Sequence, residues 1–372
     1  MALPSVALVH DYLTQRGGAE RVVLSMLEAF PGAPLYTSVY DPLATLSEFR
    51  QHDIRTLFPN RIGRIKDDHR WGLPLYPAAF SRLNIEADVV ICSSSGFAHG
   101  ARARSGRKLV YCYTPARWLY DHADHYLASW PGPVRTGIRC AGPLLRRWDR
   151  RAMRDASQLL TSSTAMSASI GRIYRRRATV LPPPNVLDPN GEQTSLDLRP
   201  QRFVLSVGRL LSYKNVDKVI AAATQLPDVS FLVVGDGPDR ARLKRDAGPN
   251  VTFAGQISES QLRWSYRNAI ALVSASYEDY GLTPLEAASF GTPAVVLRRG
   301  GFVDTVLEGT TGVFFDSPDP VQIANSIRLC MATSWNEQRI RTHALRYSEE
   351  AFAQGLRTAV NGLMTERMPV EN

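Results

Sequence analysis

Cysteine is scarce in this chain of 372 residues: four, at Cys92, Cys112, Cys140 and Cys330, with no CxxC and no paired spacing. That excludes a disulfide framework and a thiolate zinc site, and it fits the reduced thiols of a cytoplasmic protein. Long apolar runs are missing too. No stretch approaches the roughly 18 apolar residues of a spanning helix, and no charged leader with an apolar core precedes the strand-like Val6–His10. The patterns GxxxxGKS, HExxH, GxSxG and the calcium-binding loop are absent. So is GxGxxG, and no acidic residue stands out at the end of the second strand, which disfavours a dinucleotide-dependent dehydrogenase. His10-Asp11 comes closest to a metal-capable pair, but such a dipeptide more often serves a hydroxyl or a neighbouring amide. No metal is expected.

What is present is ordinary in bulk and uneven in charge. Hydrophobic residues at 44% and charged ones at 21% describe a globular chain with ample core, and its length suits two or three domains. Residues 1–182 hold 25 Lys+Arg against 14 Asp+Glu, a net of +11, while residues 183–372 hold 19 against 21, a net of −2. The first half therefore favours a polyanion or an anionic membrane surface. Much of its charge lies on one segment, Val134–Arg154, read as a helix that Gly142-Pro143 kinks or splits. Arg135, Arg139, Arg146, Arg147, Arg150, Arg151 and Arg154 interleave there with Leu144, Leu145 and Trp148. A basic face beside an apolar one reads as membrane-surface binding; a solvated helix with Leu and Trp in the core reads equally well. The aromatic-plus-basic sheet signature of RNA modules is missing, so no nucleic acid is expected.

Strand-like and helix-like segments alternate through both halves. In the first half the strands are Val6–His10, Leu35–Val39, Ile54–Leu57, Asp88–Ser93, Lys108–Tyr113, Ser157–Ser162 and Thr179–Leu181. Pro182-Pro183-Pro184 closes the pattern. It restarts at Phe203–Val207 and continues with Ser230–Val234, Val251–Phe253, Ala269–Val273 and Ala294–Leu297. Mostly continuous apolar strands separated by helices imply parallel sheets covered on both faces. The expected fold class is α/β: two doubly wound, Rossmann-like domains facing across a cleft. The first spans 1–184, a polar linker 185–202 and the second 203–346, with a last helix about 347–368 able to pack back on the first.

The chemistry concentrates in the second half, in Ser274–Leu297 (SASYEDYGLTPLEAASFGTPAVVL). Strand, polar loop, short helix and strand place the loop at the carboxyl end of a strand, where such sheets bind ligands. Glu278 and Glu286 stand eight residues apart, one on the loop and one in the first helical turn. This suits a nucleotide-linked sugar, with Glu278 on the sugar, the Gly281, Leu282 and Thr283 amides on the diphosphate, and Glu286 on the ribose. Thr283 and Glu286 fit a capping box as well, which needs no ligand. Gly208-Arg209 follow the strand FVLSV, and Lys214 opens the next helix; a guanidinium and an ammonium there suit a diphosphate. Gly235-Asp236-Gly237-Pro238 is a plain strand-to-helix turn or a close approach to ligand. Gly17-Gly18, after the first strand, permit close approach to a phosphate.

These motifs carry a resemblance. E-D-Y-G-L-T-P-L-E resembles the E-x7-E signature of the retaining glycosyltransferase family 4, which has the GT-B fold. Val207–Asp217 is similar to that family's phosphate-binding VGRL…K, and Gly300–Phe315 to its downstream GG…ETV…G.TG block. His10–Val23 and Leu145–Ser163 are similar to bacterial mannosyltransferases for O-antigen and other surface polysaccharides. The resemblance implies a metal-independent retaining transferase that moves a hexose, mannose from GDP-mannose, onto a lipid-linked or polysaccharide acceptor at the inner face of the cell membrane. It implies no cofactor beyond the nucleotide-sugar co-substrate. Glu278 would hold the sugar hydroxyls, Glu286 the ribose, Arg209 and Lys214 the leaving diphosphate, and Gly18 would add an amide. The family carries a histidine in a YCHTP-like segment, where YCYTPARW puts Tyr113. A phenol titrates near ~10 and is no ready base. Alternatives are a UDP-sugar-dependent transferase, a nucleotide-sugar epimerase of the same fold, and an inactive sugar-nucleotide or membrane-binding module.

Overall fold

The computed structural model describes residues 4–120, 127, 132–197 and 202–365. The chain divides into two compact units, one of Met1–Pro184 with Phe352–Asn372, the other of Asn185–Ala351.

In the first unit the strands are β1 (Val6–His10), β2 (Leu35–Thr37), β3 (Ile54–Thr56), β4 (Asn84–Ile85), β5 (Val89–Ser94), β6 (Arg102–Ala103), β7 (Arg107–Cys112), β8 (Gln158–Thr161) and β9 (Thr179–Val180). Seven of them form one parallel sheet in the order β3-β2-β1-β5-β7-β8-β9. β4 and β6 pair separately; two-residue strands have no period to read in a sequence. Alternate residues of the apolar strands enter two cores. Leu8, Val89, Ile91 and Leu109 serve one face and Ala7, Val9, Val90 and Val110 the other. Each fully buried aliphatic side chain there contributes roughly 1.5–3 kcal/mol.

The basic segment is one helix, Gly132–Arg154, which continues through Pro143 instead of splitting. Val134, Ile138, Ala152 and Met153 bury against the sheet. Leu145 and Trp148 join the same core, the Trp148 indole donating to Ser81 Oγ at 2.8 Å. Leu144 alone of the three interleaved apolar residues stays outside, 73% exposed. The terminal helix Glu349–Thr365 sends Phe352, Leu356, Val360 and Leu363 into the first unit's other core, and Arg357 Nε donates to the Ala29 carbonyl at 3.1 Å. Residues 366–368 of the expected helix lie outside the described ones.

The second unit repeats the plan with β10 (Phe203–Val207), β11 (Phe231–Val234), β12 (Val251–Gly255), β13 (Ala269–Ser274), β14 (Ala294–Leu297) and β15 (Gly312–Phe315), all parallel in the order β12-β11-β10-β13-β14-β15. Residues 185–197, expected as a linker, lie against this unit. Leu187 is buried in its core, Asn185 Nδ2 donates to the Leu285 carbonyl at 3.3 Å, and Arg263 Nε donates to the Asp188 carbonyl at 2.9 Å. The remaining linker residues 198–201 are not described. In each unit the strand order reverses once, between β1 and β5 and between β10 and β13, and the loops at these switch points are the ligand-binding places of open α/β sheets.

Asp11 shows how such a loop is held. Its Oδ1 accepts the amides of Phe97 (2.8 Å) and Ala98 (2.6 Å), and its Oδ2 that of Ser95 (2.7 Å), all buried or half-buried. The carboxylate is spent on the backbone and unavailable to a metal. Removing it leaves three amides without acceptors, at about 1–3 kcal/mol each. Asp11→Ala is therefore expected to lower stability in urea unfolding by at least about 3 kcal/mol; a loss below about 1 kcal/mol would contradict this account.

Candidate functional site

In the second unit, the loops after β10 and β13 meet at the switch point. Gly208 continues β10, its amide on the Val234 carbonyl at 3.0 Å. Arg209 follows, exposed, and makes no ion pair among the described residues. Leu210 is buried, its amide on the Asp236 carbonyl at 2.9 Å. A turn over Ser212–Lys214 then ends at Asn215, whose left-handed backbone (φ 53°) redirects the chain into the next helix. The Asn215 side-chain amide donates to the Ala275 carbonyl at 2.9 Å, which ties this loop to the one after β13.

Across that tie Lys214 pairs with Glu278 Oε1. Ser276 Oγ donates to the same oxygen at 2.7 Å and is itself 2.9 Å from Ser274 Oγ. The ammonium also sits 5.2 Å from the centre of the Tyr213 ring. Lys214 and Glu278 are only 19% and 24% exposed, so each would cost more alone than together. Neither Asn215 nor Ser276 carries a motif, and the one signal for Asn215 is an asparagine directly ahead of a helix.

The Glu278 loop is clamped from behind. Gly301 N donates to the Glu278 carbonyl at 2.8 Å. A Cβ on Gly300 would lie 2.1 Å from that carbonyl oxygen, and one on Gly301 2.1 Å from the Tyr280 oxygen. Gly281 ends the loop at φ 92°, with Phe302 against it. The glycines of the GGFVD block thus serve backbone-to-backbone approach. Gly235 and Gly237 do the same, since added Cβ atoms would meet the carbonyl oxygens of Gly208 at 2.0 Å and Leu210 at 2.3 Å.

The helix Leu282–Ser289 opens two residues earlier than the capping-box pattern, with Pro284 as its first residue, indicates. Its cap is Gly281 with no side-chain cap bond, which leaves the first-turn amides of Leu282 and Thr283 without an intrahelical acceptor. Thr283 lies inside the helix, so the capping box does not form, and Glu286 sits in the second turn instead of the first. Tyr266, fully buried on the helix Glu259–Asn268, donates its hydroxyl to Glu286 Oε2. Burial and the neighbouring carboxylate push the Tyr266 phenol far up, so it is a permanent donor. Nothing in the sequence marks Tyr266.

In the first unit, Tyr113 follows β7. Its hydroxyl lies 3.0 Å from Ser93 Oγ and 3.3 Å from the Ala19 carbonyl. Burial raises its pKa, so it stays a neutral phenol. Gly18 starts the helix Gly18–Ala29 behind Gly17, again without a side-chain cap bond. Among the described residues, no group of three or more His, Cys, Asp and Glu is placed to hold a metal.

The fold is GT-B, two Rossmann-like α/β domains. HepE of Anabaena with UDP and glucose superposes at a TM-score of 0.68, covering 96% of this chain and 100% of that one at 18% identity. Residues 193–347 match the family described as Glycosyl transferases group 1, and this segment holds Arg209, Lys214, Glu278 and Glu286. The chain is 30% identical to D-inositol 3-phosphate glycosyltransferase of Mycobacterium sp. (strain JLS) over 57% of its own length, and spans about half of that relative, 54%. It is 25% identical to Alpha-1,3/1,6-mannosyltransferase ALG2 of Homo sapiens over 97% of this chain and 96% of that protein.

His343 braces the clamp. Its Nε2 is 3.0 Å from the Thr305 carbonyl, which only accepts, so this nitrogen carries the proton; Nδ1 is buried without a partner among the described residues. Burial lowers its pKa, so the native state holds the neutral ring. This contribution is full above the unfolded value near ~6.5 and is lost as pH falls through the lower folded value. His69 shifts the same way in the first unit. Melting temperature should therefore fall between about pH 7 and pH 5, and His343→Gln should flatten that slope in thermal scans. An unchanged slope in the variant would refute the role given to His343.

Proposed function

We propose that the chain is a retaining glycosyltransferase that moves a hexose, mannose from GDP-mannose, onto a lipid-linked or polysaccharide acceptor. The observation that carries the reading is the meeting of Lys214 and Glu278 from two loops at the sheet's switch point, inside the segment that matches Glycosyl transferases group 1. In it, Arg209 and Lys214 take the diphosphate as the sugar–phosphate bond lengthens. Arg209 has a guanidinium with no partner to give up among the described residues, and Lys214 exchanges a carboxylate for a phosphate. Glu278, released from Lys214, accepts hydroxyls of the sugar. The open amides of Gly281, Leu282 and Thr283 suit phosphate oxygens, and Glu286, aimed by Tyr266, suits the ribose.

Mannose is supported by the likeness to the human mannosyltransferase along nearly the whole chain. A UDP-linked hexose is the second reading, prompted by the UDP complex of the Anabaena neighbour. Tyr113 stays neutral and does not act as a base. Acceptor deprotonation falls to the departing phosphate oxygen on the same sugar face, and the protein positions and neutralises charge. The exposed Arg139, Arg147, Arg150, Arg151 and Arg154, with Leu144 beside them, suit an anionic membrane that presents a lipid-linked acceptor.

Lys214→Ala should lower kcat/KM by at least about 100-fold, the scale of losing one preorganised charge-stabilising donor. Near-normal turnover would refute the assignment. Thermal shift with GDP, UDP, ADP and their sugars ranks the donors, because a ligand bound only by the native state raises its stability.

A further inference from the structure

The carboxyl edge of the first unit holds a hydrogen-bond chain whose direction is set by its two ends. His10 Nδ1 lies 3.2 Å from the Ser93 carbonyl oxygen and 3.0 Å from Ser93 Oγ. A carbonyl only accepts, so Nδ1 carries a proton. At the other end the Tyr113 hydroxyl donates to the Ala19 carbonyl at 3.3 Å, again a group that only accepts. With that proton committed, Ser93 Oγ is the donor in its 3.0 Å contact with Tyr113. Protons therefore point from His10 to Ser93, from Ser93 to Tyr113, and from Tyr113 to Ala19.

The chain runs from the end of β1 to the start of the helix Gly18–Ala29. Ala19 is its second residue. Glu20 is its third, 1% exposed, with Oε1 facing His10 Nε2 at 4.0 Å and accepting from Gln15 Nε2 at 3.0 Å. Glu20 Oε2 is buried with no hydrogen-bond donor among the described residues. A Cβ on Gly17 would stand 2.5 Å from that oxygen, so a side chain there would have to displace the carboxylate end beneath it. Turn and network are built around each other.

We propose that Tyr113 is a positioning residue: it closes a one-way hydrogen-bond chain from His10 through Ser93 to Ala19, anchored by Glu20, that holds the Gly17-Gly18 turn in the shape that offers its amides to a phosphate. The nucleotide-sugar reading supplies the phosphate; the fixing of the turn stands without it. Ser93 belongs to no motif, Glu20 was assigned no role within the His10–Val23 segment, and Tyr113 works here through its hydrogen bonds instead of as a substitute base.

Two measurements on the full chain test this. In amide hydrogen exchange without ligand, Tyr113→Phe and Ser93→Ala should each speed exchange over Gly18–Arg21 by about five- to ten-fold, the scale of one neutral hydrogen bond. The double variant should be no faster than either single one, because both cut the same chain. His10→Asn, whose amide can stand in for the Nδ1 donor, should keep the protection that His10→Ala loses. Parent-like exchange in Tyr113→Phe, or additive effects in the double variant, would overturn the proposal. In steady-state kinetics Tyr113→Phe should raise the donor KM by about five- to ten-fold and leave kcat within about two-fold. A fall in kcat at unchanged KM would place the hydroxyl at the reacting atoms and overturn it as well. If the parent turns over no nucleotide sugar, the functional reading fails and the exchange experiment still decides the role of Tyr113.

Discussion

Lys214 and Glu278 constrain everything near them. They come from loops after different strands, are mostly withdrawn from water, and neutralise each other where the strand order of the second sheet reverses. Two charges in that position hold a fixed geometry because separating them exposes each to a desolvation cost that neither repays alone. Ser276 and Asn215 follow from the same demand, one giving the shared carboxylate oxygen a second donor, the other locking the two loops together. In the proposed reading, a ligand arriving here exchanges partners with an existing pair, which would select a molecule carrying both an anion for Lys214 and donors for Glu278. A bare phosphate meets half of that requirement, and so does a free sugar. A sugar joined to a diphosphate meets all of it.

Much of the fold was legible because its elements carry strong periods. Strands β1, β10 and β14 fall on their apolar runs residue for residue, since a parallel strand buried on both faces needs nothing but apolar residues. The stretch 185–197 was not, because a polar segment with no period looks the same whether it hangs in water or docks through Leu187, Asn185 and Asp188. The helix at Leu282 shows a local rule losing to its surroundings. Thr283 and Glu286 have the spacing of a capping box, but Phe302 packs on Gly281, whose left-handed backbone starts the helix two residues early. Tyr266 and Asn215 were invisible for a plainer reason: each acts through one contact with a residue far away in the chain.

Adjacent residues can have unrelated tasks, and His10-Asp11 is the case in point. Side chains at a strand end alternate in direction, so the two leave the chain on opposite sides. Asp11 is consumed by three amides of the loop after β5, while His10 turns to Ser93 and Glu20. Read as a dipeptide they suggest a ligand pair; read as a strand end they are two separate fixings of two separate loops. Glycine carries a similar ambiguity. Gly235, Gly237, Gly300 and Gly301 all look like room left for a ligand, yet added Cβ atoms would collide with other parts of the backbone. A sequence reports that space is needed and not what fills it.

The two units therefore stiffen loops at their switch points by different chemistry. In the second, glycines let backbone lie against backbone, and the Glu278 loop is held by sterics that tolerate no added carbon. In the first, side chains do the work, and the Gly17-Gly18 turn is held by hydroxyls and an imidazole in a directed series. The steric clamp has no titrating part except where His343 braces it from behind. The directed series has an imidazole at one end and a phenol at the other, so its direction depends on the donors His10, Ser93 and Tyr113 each keeping a proton. Burial secures this for Tyr113 by holding its pKa far above the physiological range. A histidine at the same position could either donate or accept, and it would not impose a direction. A phenol whose proton is committed to a carbonyl does.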